Sequence, residues 1–390
     1  MIAIPVVELS KSLARSLYAG HPWVYREHVP PHFSAPRGSW VKIQSGRFTA
    51  FALFDPDSAL ALRIYSRTRV PDAEWIDERV RAALRLRELM GVTAHASAYR
   101  WIAGEGDGLG GLTVDRYGAY AVVGVDGEAL ESLVPWLVEA LRKSAPLLGV
   151  LRRRRGAAHD KIEALWGRAP PRDLVVEEHG LRFRANLYEG QKTGLFLDQR
   201  DNRRFVETVS TDKRVLNLFG YTGAFSVYAA RGGAKSVTTV DVAEDAIADA
   251  RENFGLNGFD ADAHDFNAAD VFDYLKEAAS RSASFDVVVS DPPSFARSRA
   301  QRERAVEAYT RLHSAALSVV VAGGLYCASS CTTQIGVDTF RATLASGASK
   351  IGHSLQIVHD AGHAADHPVL AGHPEGRYLK FIVARVLHHA

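Results

Sequence analysis

The chain has 390 residues, of which 47% are apolar and 24% are charged. This composition is typical of a folded globular protein and excludes a largely disordered chain. No apolar run approaches the roughly 20 residues that span a bilayer, and the N-terminal segment lacks the charged and apolar regions of a signal peptide. We therefore expect a cytoplasmic protein without a membrane segment, long enough for two or three domains.

The net charge of +2 is unevenly distributed along the sequence. Residues 1–70 contain nine Lys and Arg residues against four Asp and Glu residues, whereas the remainder is close to neutral. A basic first module favours contact with a polyanion such as a nucleic acid. An ordinary solvated surface has the same charge balance, so charge alone leaves both interpretations open.

The first half of the chain predicts two small modules. Residues 1–70 predict short strands, because "GSWVKIQSG", "RFTAFALFDP" and "LALRIYS" alternate apolar and polar residues. Helices are predicted in "AEWIDERVRAALRLRELMG" (73–91) and "GEALESLVPWLVEALRKSA", with two strands in "GLTVDRYGAYAVVGV" between them. The arginine run "VLRRRR" (150–155) predicts a solvated face or a phosphate contact. A hairpin turning at His179 and Gly180 then leads into a loop and a helix.

From residue 214 onward, short apolar runs alternate with amphipathic helical patterns. The runs "RVLNLF", "SVTTVDV", "FDVVVSD" and "LYCASS" predict strands, and "RAVEAYTRLHSAALSVVVAGG" (304–324) predicts a long helix before the last of them. Strand–helix alternation of this kind predicts a mostly parallel, doubly wound sheet.

The turn after the first of these strands predicts a cofactor site. Residues 215–219 run into "GYTG" (220–223) and then a helix, whose N-terminus offers free backbone N–H groups at the ligand-binding edge of the sheet. Asp241 ends the second strand, where a carboxylate can accept hydrogen bonds from both ribose hydroxyls of an adenosine. Because the dinucleotide fingerprint G-x-G-x-x-G is missing, we favour S-adenosyl-L-methionine (SAM), with Asp270 near its adenine.

The two cysteines, Cys327 and Cys331, could form a disulfide, part of a metal site or one reactive thiol. Cytosolic thiols stay reduced, and no second pair of ligands supplies zinc spacing, so no metal is predicted. "LYCASS" places Cys327 inside the fifth strand as a packed residue and Cys331 just beyond its end. Asp291, in "SDPPSF" after the fourth strand, is expected at the same edge, with capping of a helix as its alternative role. The sequence therefore predicts that Cys331 is the reactive thiol.

Several long segments occur in one order along the chain: "EEHGLRFRANLYEGQKTGLFLDQRDNR", "VLNLFGYTGAFSV", "SDPPSF", "SSCTTQIGVDTF" and "AADHPVLAGHPEGRYLKF". Together they resemble the ribosomal RNA large subunit methyltransferase I family, and "HPWVY" with "GRFTAFALFDPDS" resembles its N-terminal domain. The resemblance implies a PUA-like RNA-binding domain over residues 1–70 and a central α+β domain over residues 71–174. It also implies a Rossmann-like class I methyltransferase domain over residues 175–390, beginning with a β-hairpin at 175–190.

The resemblance also assigns site residues. It implies Cys331 as the nucleophile and Asp291 as the acid of the D-P-P motif. The implied cofactor pocket consists of Asn217, Phe219, Gly220, Tyr221, Thr222, Gly223, Asp241, Val242, Asp270, Val271, Gln199, Asp291 and Pro292. RNA or substrate contacts are expected from Arg47, Lys192, Arg200, Pro293, Ser294 and Phe295. The chain departs from the family at Ser294, where members often carry Lys, and in "SSCTT", where S-C-S is common.

The implied reaction is SAM-dependent methylation of carbon 5 of a cytosine in large-subunit rRNA, through a covalent adduct with Cys331. Two alternatives stay open at this point. One is methylation of a purine nitrogen in RNA, which needs no thiol, and the other is an RNA-binding assembly factor that holds SAM without catalysis. A homodimer is compatible with the sequence, although no stripe of residues requires one.

Overall fold

The structure is a computed structural model that describes residues 4–154, 161–188, 195–296 and 298–388. Contacts divide the chain into two compact units. One contains Met1–Val176, Ala185–Gly194 and Ala365–Gly376, and the other contains Glu177–Arg184, Leu195–Ala364 and Arg377–Ala390. Within the described residues, no helix is both long and apolar enough to cross a membrane.

The first unit begins with a five-stranded sheet of order β1-β3-β4-β5-β2. Its elements are β1 (Val6–Glu8), α1 (Ala14–Tyr18), β2 (Trp23–Tyr25), β3 (Trp40–Ser45), β4 (Phe48–Phe54) and β5 (Leu60–Ser66). The sequence predicted these short strands, because alternate residues such as Val41 and Ile43 point into the core while Lys42 and Gln44 face solvent. Arg47 is exposed in the turn between β3 and β4.

A second five-stranded sheet follows in the same unit, in the order β10-β9-β8-β7-β6. Its elements are α2 (Ala73–Leu89), α3 (Val92–His95), β6 (Ala98–Ala103), β7 (Leu112–Tyr117), β8 (Tyr120–Val125), α4 (Val134–Ser144), β9 (Gly149–Arg154) and β10 (Lys161–Gly167). Asp72 caps α2 by accepting the Trp75 N–H at 2.8 Å. In the arginine run, Arg152 is a buried partner of Glu131, and Arg154 pairs with Glu163. These two guanidinium groups therefore serve ion pairs within the unit.

The predicted hairpin is present as β11 (Val175–Glu178) and β12 (Leu181–Arg184). Its turn residues, His179 and Gly180, have φ values of 49° and 79°. Positive φ at both central residues matches the right-handed twist of the flanking strands, which explains why this two-residue turn joins them.

The second unit contains a seven-stranded sheet of order β15-β14-β13-β16-β17-β19-β18. Its elements are α5 (Arg200–Thr208), β13 (Arg214–Leu218), α6 (Ala224–Arg231), β14 (Ser236–Asp241), α7 (Glu244–Leu256), β15 (Asp265–Ala268), α8 (Val271–Ser280), β16 (Phe285–Ser290), α9 (Arg302–Leu317), β17 (Val320–Ser330), α10 (Val337–Ser349), β18 (His353–Ala361) and β19 (Lys380–His388). Strands β13 to β17 pair in parallel, and β19 is antiparallel to both of its neighbours, β17 and β18. The prediction of a doubly wound, mostly parallel sheet is confirmed, with its switch point between β13 and β16.

The boundary between α9 and β17 differs from the sequence prediction. The helical pattern was expected to continue through residue 324, but α9 ends at Leu317 and β17 begins at Val320. Val320 pairs with Phe285 of β16, so the valine run at 319–321 begins a strand rather than closing a helix. β-branched residues pack well on a pleated surface and lose side-chain freedom in a helix, which accounts for the change.

A buried ion pair joins the hairpin to two helices of the second unit. Glu178 is fully buried and accepts hydrogen bonds from Arg203 Nε at 2.9 Å and from Arg203 Nη2 at 2.7 Å. The Tyr228 hydroxyl donates to the same carboxylate at 2.9 Å. Burial, reinforced by the charge of Glu178, raises the pKa of Tyr228, so this phenol stays protonated and remains a donor.

We expect Glu178→Gln to lower the free energy of unfolding by about 3 kcal/mol, because removing one charge leaves the buried guanidinium of Arg203 uncompensated. Urea unfolding measures this change. Glu277→Gln is the matched control, since Glu277 pairs with Arg281 on the exposed surface of α8 and should change stability by less than about 0.5 kcal/mol. Equal losses in the two variants would contradict a special role for the buried pair.

Candidate functional site

The glycine turn after β13 has a strained backbone. Phe219 and Tyr221 have φ values of 57° and 48°, and Gly223 has a φ of 75°. Non-glycine residues rarely adopt positive φ, and such strain concentrates at functional sites. The turn is tied down by hydrogen bonds from Gly220 N to Val240 O at 2.9 Å and from Gly223 N to Gly220 O at 2.8 Å. The resemblance had already named Phe219 and Tyr221 as pocket residues, but their positive φ values were not predicted from the sequence.

Asp241 lies beside this turn at the end of β14. Its carboxylate accepts the Tyr221 N–H at 2.9 Å through Oδ2 and the Ala243 N–H at 3.0 Å through Oδ1. A carboxylate can accept about four hydrogen bonds, so capacity remains for two hydroxyl donors. The next residue, Val242, has 72% of its surface exposed and offers an apolar contact there. This combination fits the ribose and the adjoining ring of an adenosine.

Asn217 supplies a second sign of a ligand. Its side chain is buried, and Nδ2 donates to Ser226 Oγ at 2.9 Å. Its Oδ1 atom has no hydrogen-bond partner within the described parts of the chain. A buried acceptor without a donor is costly and points to a missing polar partner, for which the ammonium group of SAM is a suitable candidate. Thr222, also buried, accepts Asn253 Nδ2 on its backbone oxygen at 2.8 Å and so fixes the turn.

Asp270 is the N-cap of α8 and Val271 is its first residue, and the two have different environments. Asp270 Oδ1 caps the helix by accepting the N–H groups of Phe272 at 2.8 Å and Asp273 at 3.2 Å. The residue is exposed, and capping through one oxygen leaves its carboxylate able to accept a further donor. The Val271 side chain packs in the main apolar cluster of this unit. Any contact of Val271 with a ligand would therefore involve its backbone.

Gln199 and Arg200 lie in the interior of the second unit. Gln199 Nε2 donates to Ser329 Oγ at 2.8 Å, which connects the start of α5 to the end of β17. The Arg200 guanidinium is buried, with its Nε atom 3.4 Å from Glu178 Oε2. This placement gives Arg200 a role in the buried ion cluster and leaves no exposed guanidinium there for RNA. Lys192 lies outside the described residues.

Thr332 connects the D-P-P loop to the segment that contains Cys331. Its hydroxyl shares hydrogen bonds with Ser294 Oγ at 3.2 Å and with the Tyr309 hydroxyl at 2.7 Å, and it accepts the Phe295 N–H at 3.3 Å. Ser330 Oγ donates to the same Tyr309 hydroxyl at 2.9 Å. Two loops that are 38 residues apart in sequence are therefore held in one arrangement.

On the D-P-P loop itself, Asp291 is half-buried and Pro292 is buried, whereas Pro293 is exposed. Asp291 follows the last residue of β16 directly, so its carboxylate lies at the C-terminal edge of the sheet. The helix that follows, α9, begins eleven positions later, so capping that helix is not the role of this aspartate. The loop thus presents a carboxylate at the edge where the glycine turn also lies.

The two cysteines have contrasting environments, and neither is part of a disulfide within the described residues. Cys327 lies inside β17, is fully buried, and has its pKa raised to about 12 by that burial. Cys331 follows the last residue of β17 and is half-buried. In the described part of the chain, no group of three or more His, Cys, Asp or Glu side chains could hold a metal ion. Of the two thiols, only Cys331 is open to a reaction partner.

Two neighbours of Cys331 were missed from the sequence. Burial raises the pKa of Tyr309 to about 12, hydrogen bonds from Ser330 and Thr332 oppose this, and the charges of Cys331 and Asp291 add to it. Lys380, at the start of β19, is buried, and that burial lowers its pKa to about 8, against the opposing effect of Cys331. For Lys380, the sequence did contain a signal, because it is a single lysine at the start of the mostly apolar strand "KFIVARV".

The doubly wound sheet, its strained glycine turn and the carboxylate of Asp241 define a SAM-dependent methyltransferase. In agreement, the family model described as S-adenosylmethionine-dependent methyltransferase matches residues 143–372, and that of a PUA-like domain matches residues 7–67. The methyltransferase SMU.776, solved in complex with SAH, has a TM-score of 0.88 and 26% identity over 98% of this chain and 100% of its own. A SAM-dependent methyltransferase from Streptococcus mutans has a TM-score of 0.86 and 25% identity over the same shares. The cofactor of this chain is SAM.

Two relatives show which family of SAM-dependent methyltransferases the chain belongs to. The chain is 34% identical to ribosomal RNA large subunit methyltransferase I of Tolumonas auensis, over 98% of this chain and 99% of the relative. It is 35% identical to the protein of that name from Vibrio cholerae, over 98% of this chain and 100% of the relative. The chain belongs to the ribosomal RNA large subunit methyltransferase I family, which confirms the resemblance found in its motifs.

We expect Asp241→Asn to weaken SAM binding about tenfold to a hundredfold, because a hydrogen bond to a charged acceptor contributes about 1.5–3 kcal/mol. Calorimetric titration of the protein with SAM measures the change in Kd. Asp245→Asn is the control. Asp245 is an exposed carboxylate in the first turn of α7, and its substitution is expected to leave the Kd unchanged. An unaltered Kd for Asp241→Asn would exclude this carboxylate from the cofactor site.

Proposed function

We propose that this protein transfers a methyl group from SAM to carbon 5 of a cytosine in large-subunit rRNA, with Cys331 as the nucleophile. One observation carries the proposal: an accessible thiol lies at the ligand-binding edge of the sheet, while the other cysteine is sealed inside β17. The rRNA substrate is suggested by the names of the relatives, both of which are ribosomal RNA large subunit methyltransferases.

The chemistry explains why a thiol is needed. Carbon 5 of cytosine is a poor nucleophile, so its unassisted attack on a methyl donor is slow. When the Cys331 thiolate forms a bond to carbon 6, the C5–C6 π electrons become available at carbon 5, as in an enamine. Bound SAM would supply its electrophilic methyl group to carbon 5 and would leave as the thioether S-adenosylhomocysteine. Loss of the carbon 5 proton to a base and cleavage of the sulfur–C6 bond then restore the aromatic ring and the free thiolate.

Asp291 is proposed to hold the base during this addition. Its carboxylate follows β16 directly and is stiffened by Pro292 and Pro293, which restrict the loop. From that position, the carboxylate would accept hydrogen bonds from the cytosine amino group and from N3–H, with N3 taking up a proton from solvent as the thiolate adds to carbon 6 and returning it when the adduct breaks down. A positioned hydrogen-bond acceptor stabilises the positive charge of the protonated ring. Such electrostatic stabilisation is the largest single contribution to rate enhancement in many enzymes.

The cofactor is proposed to bind across the glycine turn. Asn217 Oδ1 would accept from the ammonium group of SAM, and the carboxylate of Asp241 would accept from the ribose hydroxyls. Val242 would contact the adenine, and Asp270 would accept from its exocyclic amine. The turn formed by Phe219, Gly220, Tyr221, Thr222 and Gly223, together with Gln199 and Pro292, would complete the pocket.

RNA is proposed to contact both units. The basic first 70 residues, including the exposed Arg47, would bind phosphates, which predicts binding that weakens as salt rises. Around the target base we expect contacts from Pro293, Ser294 and Phe295 on the D-P-P loop. The cytosine must leave its stack to reach Cys331, so a single-stranded or locally unpaired site is the expected substrate.

We expect Cys331→Ala to abolish methyl transfer to large-subunit rRNA while retaining SAM binding, because the substitution removes the nucleophile and leaves the cofactor turn intact. Sequencing of bisulfite-treated RNA locates 5-methylcytosine, and calorimetry measures SAM binding. Cys327→Ala is the matched control and should remain active, since Cys327 is buried and its pKa is raised to about 12.

The outcomes separate the alternatives. Full activity of Cys331→Ala, with methyl groups found on purine nitrogens, would replace the proposal with the thiol-independent reaction. If the unmodified protein binds SAM tightly but methylates no RNA, the result would favour an RNA-binding protein without catalytic activity.

A further inference from the structure

We propose that Lys380 is a positioning residue that holds Cys331 as a thiolate, by anchoring the backbone after the cysteine and placing a buried ammonium group beside it. The proposal rests on the proposed role of Cys331 as nucleophile and deepens it. It concerns a residue at the far end of the chain, 49 positions from the cysteine, which no sequence motif discussed above assigns to the reaction.

Strand register brings Lys380 to this place. Lys380 is the first residue of β19 and pairs with Ser330, the last residue of β17, so Cys331 is the next residue along the chain. The Lys380 Nζ atom donates to Thr332 O at 2.7 Å and to Tyr378 O at 2.8 Å, and the side chain is 2% exposed. An ammonium group has three N–H donors, so these two bonds fix its position and leave one N–H for a further acceptor.

The charges around Cys331 determine what the ammonium group of Lys380 contributes to stabilising the thiolate. Asp291, from the end of β16, adds negative charge and disfavours a thiolate. Tyr309, from α9, keeps its proton because burial raises its pKa to about 12, so it contributes a neutral hydroxyl. Within the described parts of the chain, Lys380 from β19 is a buried cation that interacts with Cys331 and can offset the charge of Asp291. Thiolates are stabilised by neighbouring cations, which is how reactive cysteines are usually activated.

The coupling between the two groups acts in both directions. Burial lowers the pKa of Lys380 to about 8, and the negative charge of Cys331 opposes that change. An electrostatic interaction energy belongs to the pair, so a thiolate that favours the ammonium is favoured by it to the same degree. The sign gives the pH range: the charge on Lys380 is present below about pH 8 and is lost above it. The cation is therefore present at neutral pH, where an unperturbed thiol is mostly protonated.

A structural lysine would behave differently from an activating one. A lysine that only ties together Thr332 O and Tyr378 O would affect folding, but it would leave the titration of Cys331 unchanged. The reactivity of the thiol as a function of pH therefore distinguishes the two roles. It needs neither RNA nor methyl transfer.

The test measures the rate at which iodoacetamide alkylates Cys331 between pH 6 and pH 10, by mass spectrometry on the full-length protein carrying Cys327→Ala. Lys380→Met removes the charge at similar length, and Lys380→Arg retains it. Lys276→Met is the control, because it removes an exposed lysine from α8 of the same unit. Calorimetric SAM binding reports whether each variant is folded.

We expect Lys380→Met to move the midpoint of the alkylation profile upward by about one pH unit or more, and to slow alkylation at pH 7 about tenfold, since one pKa unit changes the thiolate fraction tenfold. Lys380→Arg and Lys276→Met should keep the parent profile. A Lys380→Met variant that binds SAM and has the parent midpoint would overturn the proposal. If Lys380→Met does not fold, the parent profile decides, because a midpoint at or above the ordinary thiol value of about 8.5 would also overturn it.

The alkylation profile tests the role of Lys380 separately from the proposed role of Cys331 as nucleophile. Cys331→Ala that still methylates RNA would end the nucleophile assignment, whatever the alkylation profile shows. An unchanged profile in Lys380→Met, with Cys331→Ala inactive, would remove Lys380 from the mechanism and leave the nucleophile in place.

Discussion

The pairing of β17 on both of its edges is the constraint on which the site depends. On one edge it pairs in parallel with β16, so that Ala328 lies opposite Ser290, and on the other it pairs antiparallel with β19, so that Ser330 lies opposite Lys380. Parallel neighbours end at the same edge of a sheet, whereas an antiparallel neighbour begins there. This edge of the sheet therefore brings together Asp291 after β16, Cys331 after β17 and Lys380 at the start of β19.

Hydrogen bonds then fix the loops that leave this edge. Thr332 binds both the D-P-P loop and Tyr309, and Gln199 reaches Ser329 from the start of α5. Buried polar networks are costly unless their members are satisfied, and these bonds satisfy them while restricting the loops to one arrangement. On the cofactor side, the turn has positive φ at Phe219 and Tyr221, and its strain is balanced by the hydrogen bonds of Asp241 and Gly220.

Much of this arrangement could be predicted because it is local. The hairpin turn at His179 and Gly180, and a cysteine one residue beyond a strand, follow from short patterns of residue types. The predictions that changed depended on distant neighbours. Arg200 is buried beside Glu178 rather than exposed to RNA. Helix α9 ends at Leu317 because the valine run that follows it begins β17, which pairs with β16. Such partners cannot be read from spacing along the chain.

The sequence by itself determined the doubly wound sheet, the glycine turn, the acid after β14 and the difference between a packed and an accessible cysteine. Each of these is encoded by residue type and position within one or two neighbouring elements. Only the tertiary structure decided that Lys380 is buried beside the cysteine and that Tyr309 and Thr332 join its loop to the D-P-P loop. It also decided that Asn217 has a buried oxygen to which none of the described residues donates. Desolvation and pairing across strands create these properties, and both depend on which residues from elsewhere in the chain surround a side chain.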